Sequence, residues 1–305
     1  MLIRKTFKYR LKPTKKQLKA LGCTLDECRW LYNHLLEQRK LAYEELDISL
    51  TKFQQNIFLP FLKLDRRELL TVHSQVLQNV TDRSDKAFQN FFRRCKSGEK
   101  PGFPRFRGFD RYTSFCYAQS GFSVKGSEVK LSKIGSIRFK LHREIQGKIK
   151  TCTLSRESGN WYVCFSCEVD LNPLPENSKS IGIDLGIENF ATFSDGQTLA
   201  NPRFFKKAEK EVAKSQKKLS KLEKGTPERK KQKKTTSNIH RKIKNRRSDF
   251  CHKISRKIVN EYQHICIEDL NTSRMMQGSF LAKSIADVSW SQFTQFLTYK
   301  AAGSW

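Results

Sequence analysis

The hydrophobic period of this chain changes from strand-like to helical and back, and that order restricts the fold more than any other feature. Between Leu2 and Leu11 apolar and polar residues alternate. Ile3, Phe7, Tyr9 and Leu11 share one face and Arg4, Thr6, Lys8 and Arg10 the other, which predicts a half-buried strand with a basic outer face. From Pro13-Thr14 to residue 97 the apolar step becomes three or four. Leu18, Leu21, Leu25, Cys28, Leu31 and Leu35 form one stripe; Val72, Val76, Val80, Phe88, Phe91 and Cys95 form another. This block predicts two long helices with looser chain around Pro60. A loop rich in Pro, Gly and Arg follows. Short strands then run from Phe115 to Val169, with Phe122/Val124, Val129/Leu131, Ile137/Phe139 and Ile149/Thr151/Thr153 as pieces and Trp161–Val169 as the clearest alternation. Residues 170–180, with two prolines, read as a linker.

The last third opens on an apolar strand, Ile181–Leu185, with Asn189–Phe193 as its hairpin partner. Residues 203–257 hold 22 Lys and Arg against 5 Asp and Glu, yet Val212, Leu219, Leu222, Ile239, Ile243, Phe250, Ile254 and Ile258 keep helical spacing. Basic amphipathic helices with a turn at KGTPERKK are therefore expected. His264–Leu270 reads as a further strand, and residues 287–301 as a terminal helix.

Charge decides the partner class. Across 305 residues there are 59 Lys and Arg against 30 Asp and Glu, a formal charge of +29. A surface of that sign expects a polyanion, nucleic acid above all. No run reaches the roughly 20 apolar residues of a membrane-spanning helix. The N-terminus has no apolar core of a signal peptide, and the nine cysteines lack framework spacing. A cytoplasmic protein with reduced thiols is the expectation, with no membrane partner.

Two strands carry candidate chemistry. In Gly182-Ile183-Asp184-Leu185-Gly186 the isoleucines and leucine face one way, and Asp184 faces the other between two glycines, open to a ligand. Such a carboxylate suits Mg²⁺ with substrate phosphates; it also suits a simple strand end before a turn. In Ile265-Cys266-Ile267-Glu268-Asp269-Leu270, Glu268 shares a face with Cys266, and a glutamate inside an apolar strand demands a partner or a metal. Asp269, on the opposite face, reads as closing the next turn. Cys164 and Cys167 project to opposite faces of one strand, so no zinc site is expected from them. The 100–111 loop interleaves Phe103, Phe106 and Phe109 with Arg105, Arg107 and Arg111. It reads equally as a stacking platform for nucleic acid or as a loop pinned by its aromatics. In the basic helices, Lys242, Arg246 and Arg247 are the candidate nucleic-acid contacts.

The order of these parts resembles the TnpB (OrfB) family of insertion-sequence proteins, relatives of the type V CRISPR effector nucleases. It runs from a basic strand and a helical block through Gly102-Phe103-Pro104-Arg105-Phe106 and a β-region to GIDLG, a basic helical insert and Ile267-Glu268-Asp269-Leu270. The resemblance implies an α+β multidomain chain. A β-barrel wedge domain (1–12 and 110–172) would be interrupted by a helical recognition domain (13–109). An RNase H-like, RuvC-type domain (173–305) would carry the basic insert 203–260 and lack its C-terminal part. It also implies guide RNA and double-stranded target DNA as partners, with Asp184 and Glu268 as catalytic carboxylates holding Mg²⁺. Family members follow the last helix with a four-cysteine zinc ribbon and a third catalytic aspartate. Here Asp269 and Asp287 are the only acidic residues after Glu268, and Asp287 is expected to cap a helix. Zinc is not expected, and binding without cleavage, as by a regulator, is the rival to an active endonuclease. GIDLG also opens the phosphate hairpin of actin-like ATPases and sugar kinases, but Ile187-Glu188-Asn189-Phe190 and the +29 charge argue against that reading.

Overall fold

The computed structural model describes residues 2–109, 111–170, 174–277 and 280–303. The expected boundaries at 110 and 172–173, and residues 171–173 of the 170–180 linker, fall outside that set. The chain divides into two compact units, Arg4–Val169 and Asp170–Trp305, the latter with Met1–Ile3. Each is a mixture of helix and sheet.

In the first unit β1 (Leu2–Lys12) leads into three helices, α1 (Lys15–Leu46), α2 (Lys52–Asp65) and α3 (Ser74–Lys96). Thr14 and Thr51 start α1 and α2 with capping boxes completed by Gln17 and Gln54, which satisfies donors that the first turn leaves open. The sequence predicts two helices here and the structure has three, because Pro60 lies inside α2 instead of in a break. The two helical stripes are buried as expected, with Leu21, Leu25, Cys28, Leu31 and Leu35 facing Val76, Val80 and Phe88, although Leu18 and Cys95 stay exposed.

Six further strands complete the sheet: β2 (Ser114–Tyr117), β3 (Phe122–Lys125), β4 (Glu128–Leu131), β5 (Gly135–Phe139), β6 (Lys148–Glu157) and β7 (Asn160–Asp170). Their order is β2-β6-β7-β1-β5-β4-β3. The two outer strands approach each other, with Tyr117 of β2 stacked edge-on against Phe122 of β3 and its hydroxyl donating to the Ser132 carbonyl. Phe7, Tyr9 and Leu11 point inward as the alternation predicts. In β6 the buried positions are Cys152 and Leu154, not Thr151 and Thr153. A bulge between Ile149 and Thr151 shifts the register by one, which exchanges the two faces. The helical block and the sheet pack on each other: Arg83 of α3 donates to the Ser114 carbonyl and Gln17 of α1 to the Ser136 carbonyl.

The second unit is built on four strands, β8 (Ser180–Asp184), β9 (Asn189–Phe193), β10 (Thr198–Ala200) and β11 (His264–Ile267), in the order β10-β9-β8-β11. β8 and β9 form the expected hairpin, and β11 returns parallel to β8. That return needs a long crossover. The basic stretch supplies it as two helices, α4 (Phe204–Ser220) and α5 (Pro227–Glu261). Val212 of α4 packs with Ile239 and Ile243 of α5, while Cys251, Ile258 and Val259 farther along α5 lie in the core over the sheet. After α6 (Thr272–Met275), the single terminal helix expected at 287–301 is two, α7 (Ala282–Val288) and α8 (Trp290–Ala302). Ser289 between them adopts φ +64°, a left-handed conformation that ends one helix before the next begins.

Candidate metal centre

Asp184 is the last residue of β8 and Glu268 the first beyond β11. The parallel ladder pairs Ile181 with Ile265, Gly182 with Cys266 and Ile183 with Ile267. One more step sets Asp184 beside Glu268, on neighbouring strands spaced about 4.8 Å apart. Ile181 and Ile183 turn into the core, so Gly182 and Asp184 turn outward, and Cys266 and Glu268 share that open side. Both carboxylates are exposed, so the desolvation expected of a glutamate buried in an apolar strand does not arise: β11 ends at Ile267, one residue earlier. Among the described residues neither carboxylate accepts a hydrogen bond or an ion pair, in a chain of net charge +29. Two hard oxygen donors with no competing protein cation fit Mg²⁺.

The floor of the site is fixed by a contact that sequence reasoning did not anticipate. Ser194, after β9, accepts the Gly182 N–H at its hydroxyl (3.0 Å), and its own N–H donates to the Gly182 carbonyl (3.0 Å). The glycines also have a role beyond leaving room for a ligand. A Cβ on Gly186 would meet the Asn189 carbonyl at 2.8 Å, so this residue permits the tight β8–β9 turn. Beside Glu268 a groove of about 410 Å³ runs along α8, lined with Thr272, Ser291, Thr294 and Gln295.

Among the described residues a third carboxylate does not join the pair. Among the described residues no group of three or more His, Cys, Asp or Glu side chains is placed to hold a metal. Asp287 is a cap, as expected, but of a different helix from its own. Its carboxylate accepts the N–H groups of Phe205 (2.8 Å) and Lys206 (3.1 Å) at the start of α4 and pairs with Arg247 at 2.8 Å. Arg203, the residue before α4, sits at φ +48° and makes no side-chain cap, so Asp287 serves in its place. Cys164 and Cys167 lie on opposite faces of β7 as expected, and burial pushes both thiols up, away from the thiolate form that binds metal.

The candidate nucleic-acid residues separate into groups. Lys242 and Arg246 are exposed on α5, with Lys244 between them. Arg247, also singled out from the sequence, is instead occupied by Asp287. Arg105, Arg107 and Arg111 are exposed in the 100–111 loop. That loop is held at two points: Phe103 stacks edge-on against Phe88 and Phe91, and Asn33 exchanges two hydrogen bonds with the Arg107 backbone. Phe106 and Phe109 remain more than half exposed. The loop is therefore anchored while still presenting rings and guanidinium groups to solvent. No helix among the described residues is long and apolar enough to cross a membrane.

Known proteins resemble this chain over much of its length. Residues 162–278 match the OrfB family model of IS605 elements, described as a probable transposase, and residues 1–47 match that family's helix-turn-helix model. In this chain the latter stretch is β1 followed by one uninterrupted helix, α1. A protein of Streptomyces pristinaespiralis named "Putative RNA-guided DNA endonuclease" is 30% identical over 98% of this chain and 75% of its own length. "Putative RNA-guided DNA endonuclease InsQ" of Escherichia coli (strain K12) is 27% identical over 96% of this chain and 77% of its own. Among solved structures, the Cas12f1–sgRNA–target DNA complex aligns with 98% of this chain and 82% of its own, at 14% identity and a TM-score of 0.38.

Proposed function

Because the chain belongs to the TnpB (OrfB) family of RNA-guided DNA endonucleases, we propose that it binds a guide RNA and double-stranded target DNA, with Asp184 and Glu268 as the metal-holding carboxylates of a RuvC-type site. The observation that carries this reading is the pair itself: two exposed carboxylates, without a partner among the described residues, at adjacent ends of parallel strands within a strongly basic chain. The strand order β10-β9-β8-β11, with its helical crossover, supports an RNase H-like assignment for 173–305, the basic insert being α4 and α5. The seven-stranded sheet, whose outer strands approach each other, supports a wedge domain from 1–12 and 110–172. Helices α1–α3 support recognition by 13–109.

Mg²⁺ at this site would supply Lewis-acid stabilisation to a phosphodiester undergoing displacement. Asp184 and Glu268 would hold it. Ser194 keeps the strand beneath them in place, and the groove along α8 would receive the backbone of a nucleic-acid strand. Asp287 is committed to α4 and Arg247, so among the described residues it does not join Asp184 and Glu268. RNA-directed DNA binding is the first activity to test, with Mg²⁺-dependent cleavage as the second.

The test uses the full chain and RNA transcribed from its own locus. Binding should be tight at about 50 mM salt and weaken by at least tenfold by about 200 mM. Affinity that does not change with salt would overturn the reading. Asp184→Ala should leave RNA affinity unchanged and remove any Mg²⁺-dependent cleavage of a matched DNA target. Cleavage that persists in this variant would exclude Asp184 from the site.

A further inference from the structure

The sheet of the second unit sets a row of polar side chains across its open side. Antiparallel pairing places Thr192 of β9 opposite Asp184 of β8, and Thr198 of β10 opposite Thr192. Residues facing each other in a ladder share a face. With Glu268 at the end of β11, the row runs Thr198, Thr192, Asp184, Glu268 in the strand order β10-β9-β8-β11. The adjacent pair, Ile183 and Phe193, packs into the core on the other side. Asp184 is therefore the middle of a trio. A carboxylate stands on one side of it and a hydroxyl on the other, each one strand spacing of about 4.8 Å away. All three border one open groove of about 520 Å³.

Two hydroxyls border this groove, and the fold uses them differently. That of Ser194 is engaged, accepting the Gly182 N–H at 3.0 Å. That of Thr192, on a half-buried side chain, makes no hydrogen bond among the described residues. Cys266 borders the groove as well, but a thiol is a soft donor ill matched to a hard cation. Mg²⁺ held by one or two carboxylates keeps several waters, and those waters need oxygen partners on the protein. A neutral hydroxyl both donates and accepts, and adds no charge to the site.

We propose that Thr192 is a positioning residue of the metal centre. Its hydroxyl, on the side of Asp184 away from Glu268, hydrogen-bonds the hydration shell of a divalent cation held by the two carboxylates. The proposal rests on the assignment of Asp184 and Glu268 as the metal-holding pair. Valine at position 192 keeps the shape and the strand preference of threonine while removing the hydroxyl.

The experiment is a titration of the full, nucleic-acid-free chain with Mn²⁺ alone, a hard oxygen-liganded stand-in for Mg²⁺. Paramagnetic resonance follows the loss of the sharp spectrum of free Mn²⁺, so the readout is binding and not activity. Thr192→Val should raise the Mn²⁺ dissociation constant by about tenfold, with circular dichroism unchanged, and Thr192→Ser should restore it. Thr192→Ala is the second hydroxyl-free variant should the valine form fail to fold. Asp184→Ala should abolish saturable binding. Wild-type affinity in Thr192→Val, with binding lost in Asp184→Ala, would overturn the role of Thr192 and leave the carboxylate pair standing. A serine variant no tighter than the valine variant would also overturn it, because the hydroxyl would then not be the active group. Saturable binding that survives Asp184→Ala, or none in the wild-type chain, would overturn the metal assignment itself and this proposal with it.

Discussion

Asp287 sits near the C-terminal end of α7, where a negative charge gains nothing from its own helix, yet it closes the start of α4 and neutralises Arg247. Its side chain is 7% exposed and that of Arg247 22%, so removing it leaves a half-buried, unpaired guanidinium and two open N–H groups together. Asp287→Ala should destabilise the second unit by about 3 kcal/mol. Asp287→Asn, which keeps one acceptor oxygen but loses the other and the charge, should cost less; urea unfolding of the two variants measures both. Lys300 poses the opposite problem. It is buried against α5, donating to the His252 carbonyl and the Ser255 hydroxyl at 2.7 Å, and among the described residues it pairs with no carboxylate. Burial, then the nearby Arg256, lowers its ammonium to about 8. The unfolded lysine titrates near 10.4. Between those values the unfolded state holds more protons, so stability from this site rises with pH; below about 8 the penalty of burying the charge is present in full. Lys300→Met abolishes that dependence. Wild-type stability relative to this variant should increase from pH 7 to pH 10, and a difference that stays constant would show that Lys300 does not titrate in that window.

At the scale of elements, local signals and close contacts divide the control. Thr14, Thr51 and Thr226 each begin a helix by accepting an N–H of its first turn, and each is readable from Thr followed by a helical period. Helix ends and strand faces depend more on contacts between elements. Gly147, at φ +74°, enters β6 so close to β7 that a Cβ would lie 2.0 Å from the Glu168 carbonyl oxygen. Gly147→Ala combines a disfavoured backbone with a clash against main chain that is itself paired in the sheet. It should cost at least ~2 kcal/mol, read as a lower unfolding midpoint of the first unit. Gly126 has a similar backbone at φ +56° but open space around it, so Gly126→Ala should show a smaller loss that isolates the backbone contribution.

Across the whole molecule the positive charge is unevenly arranged. The 203–257 stretch concentrates it on α4 and α5, whose apolar faces are already buried in the insert and over the sheet. The outward face is left to its charges, which a polyanion would neutralise. Lys242→Ala and Arg246→Ala should each lower the salt slope of RNA binding by about one, with the fold unaffected. Arg247→Ala should instead lower stability, because its partner is Asp287 and not solvent. Measuring slope and unfolding midpoint on the three variants separates the two roles.

Much of this arrangement was legible in the residues alone. Alternation marked β1 and β7, four-residue steps marked α1, α3 and the basic helices, and the outward faces of Asp184 and Glu268 followed from the strand period. Those features are local: propensity, capping and periodicity act within a few residues and leave their mark in order along the chain. The bulge that exchanges the faces of β6, the division of the last helix at Ser289 and the commitment of Asp287 to a helix 82 residues earlier carry no such mark. Each is decided by which elements meet and at what register, so only the assembled fold could distinguish an exposed, unengaged carboxylate from one that holds two helices together.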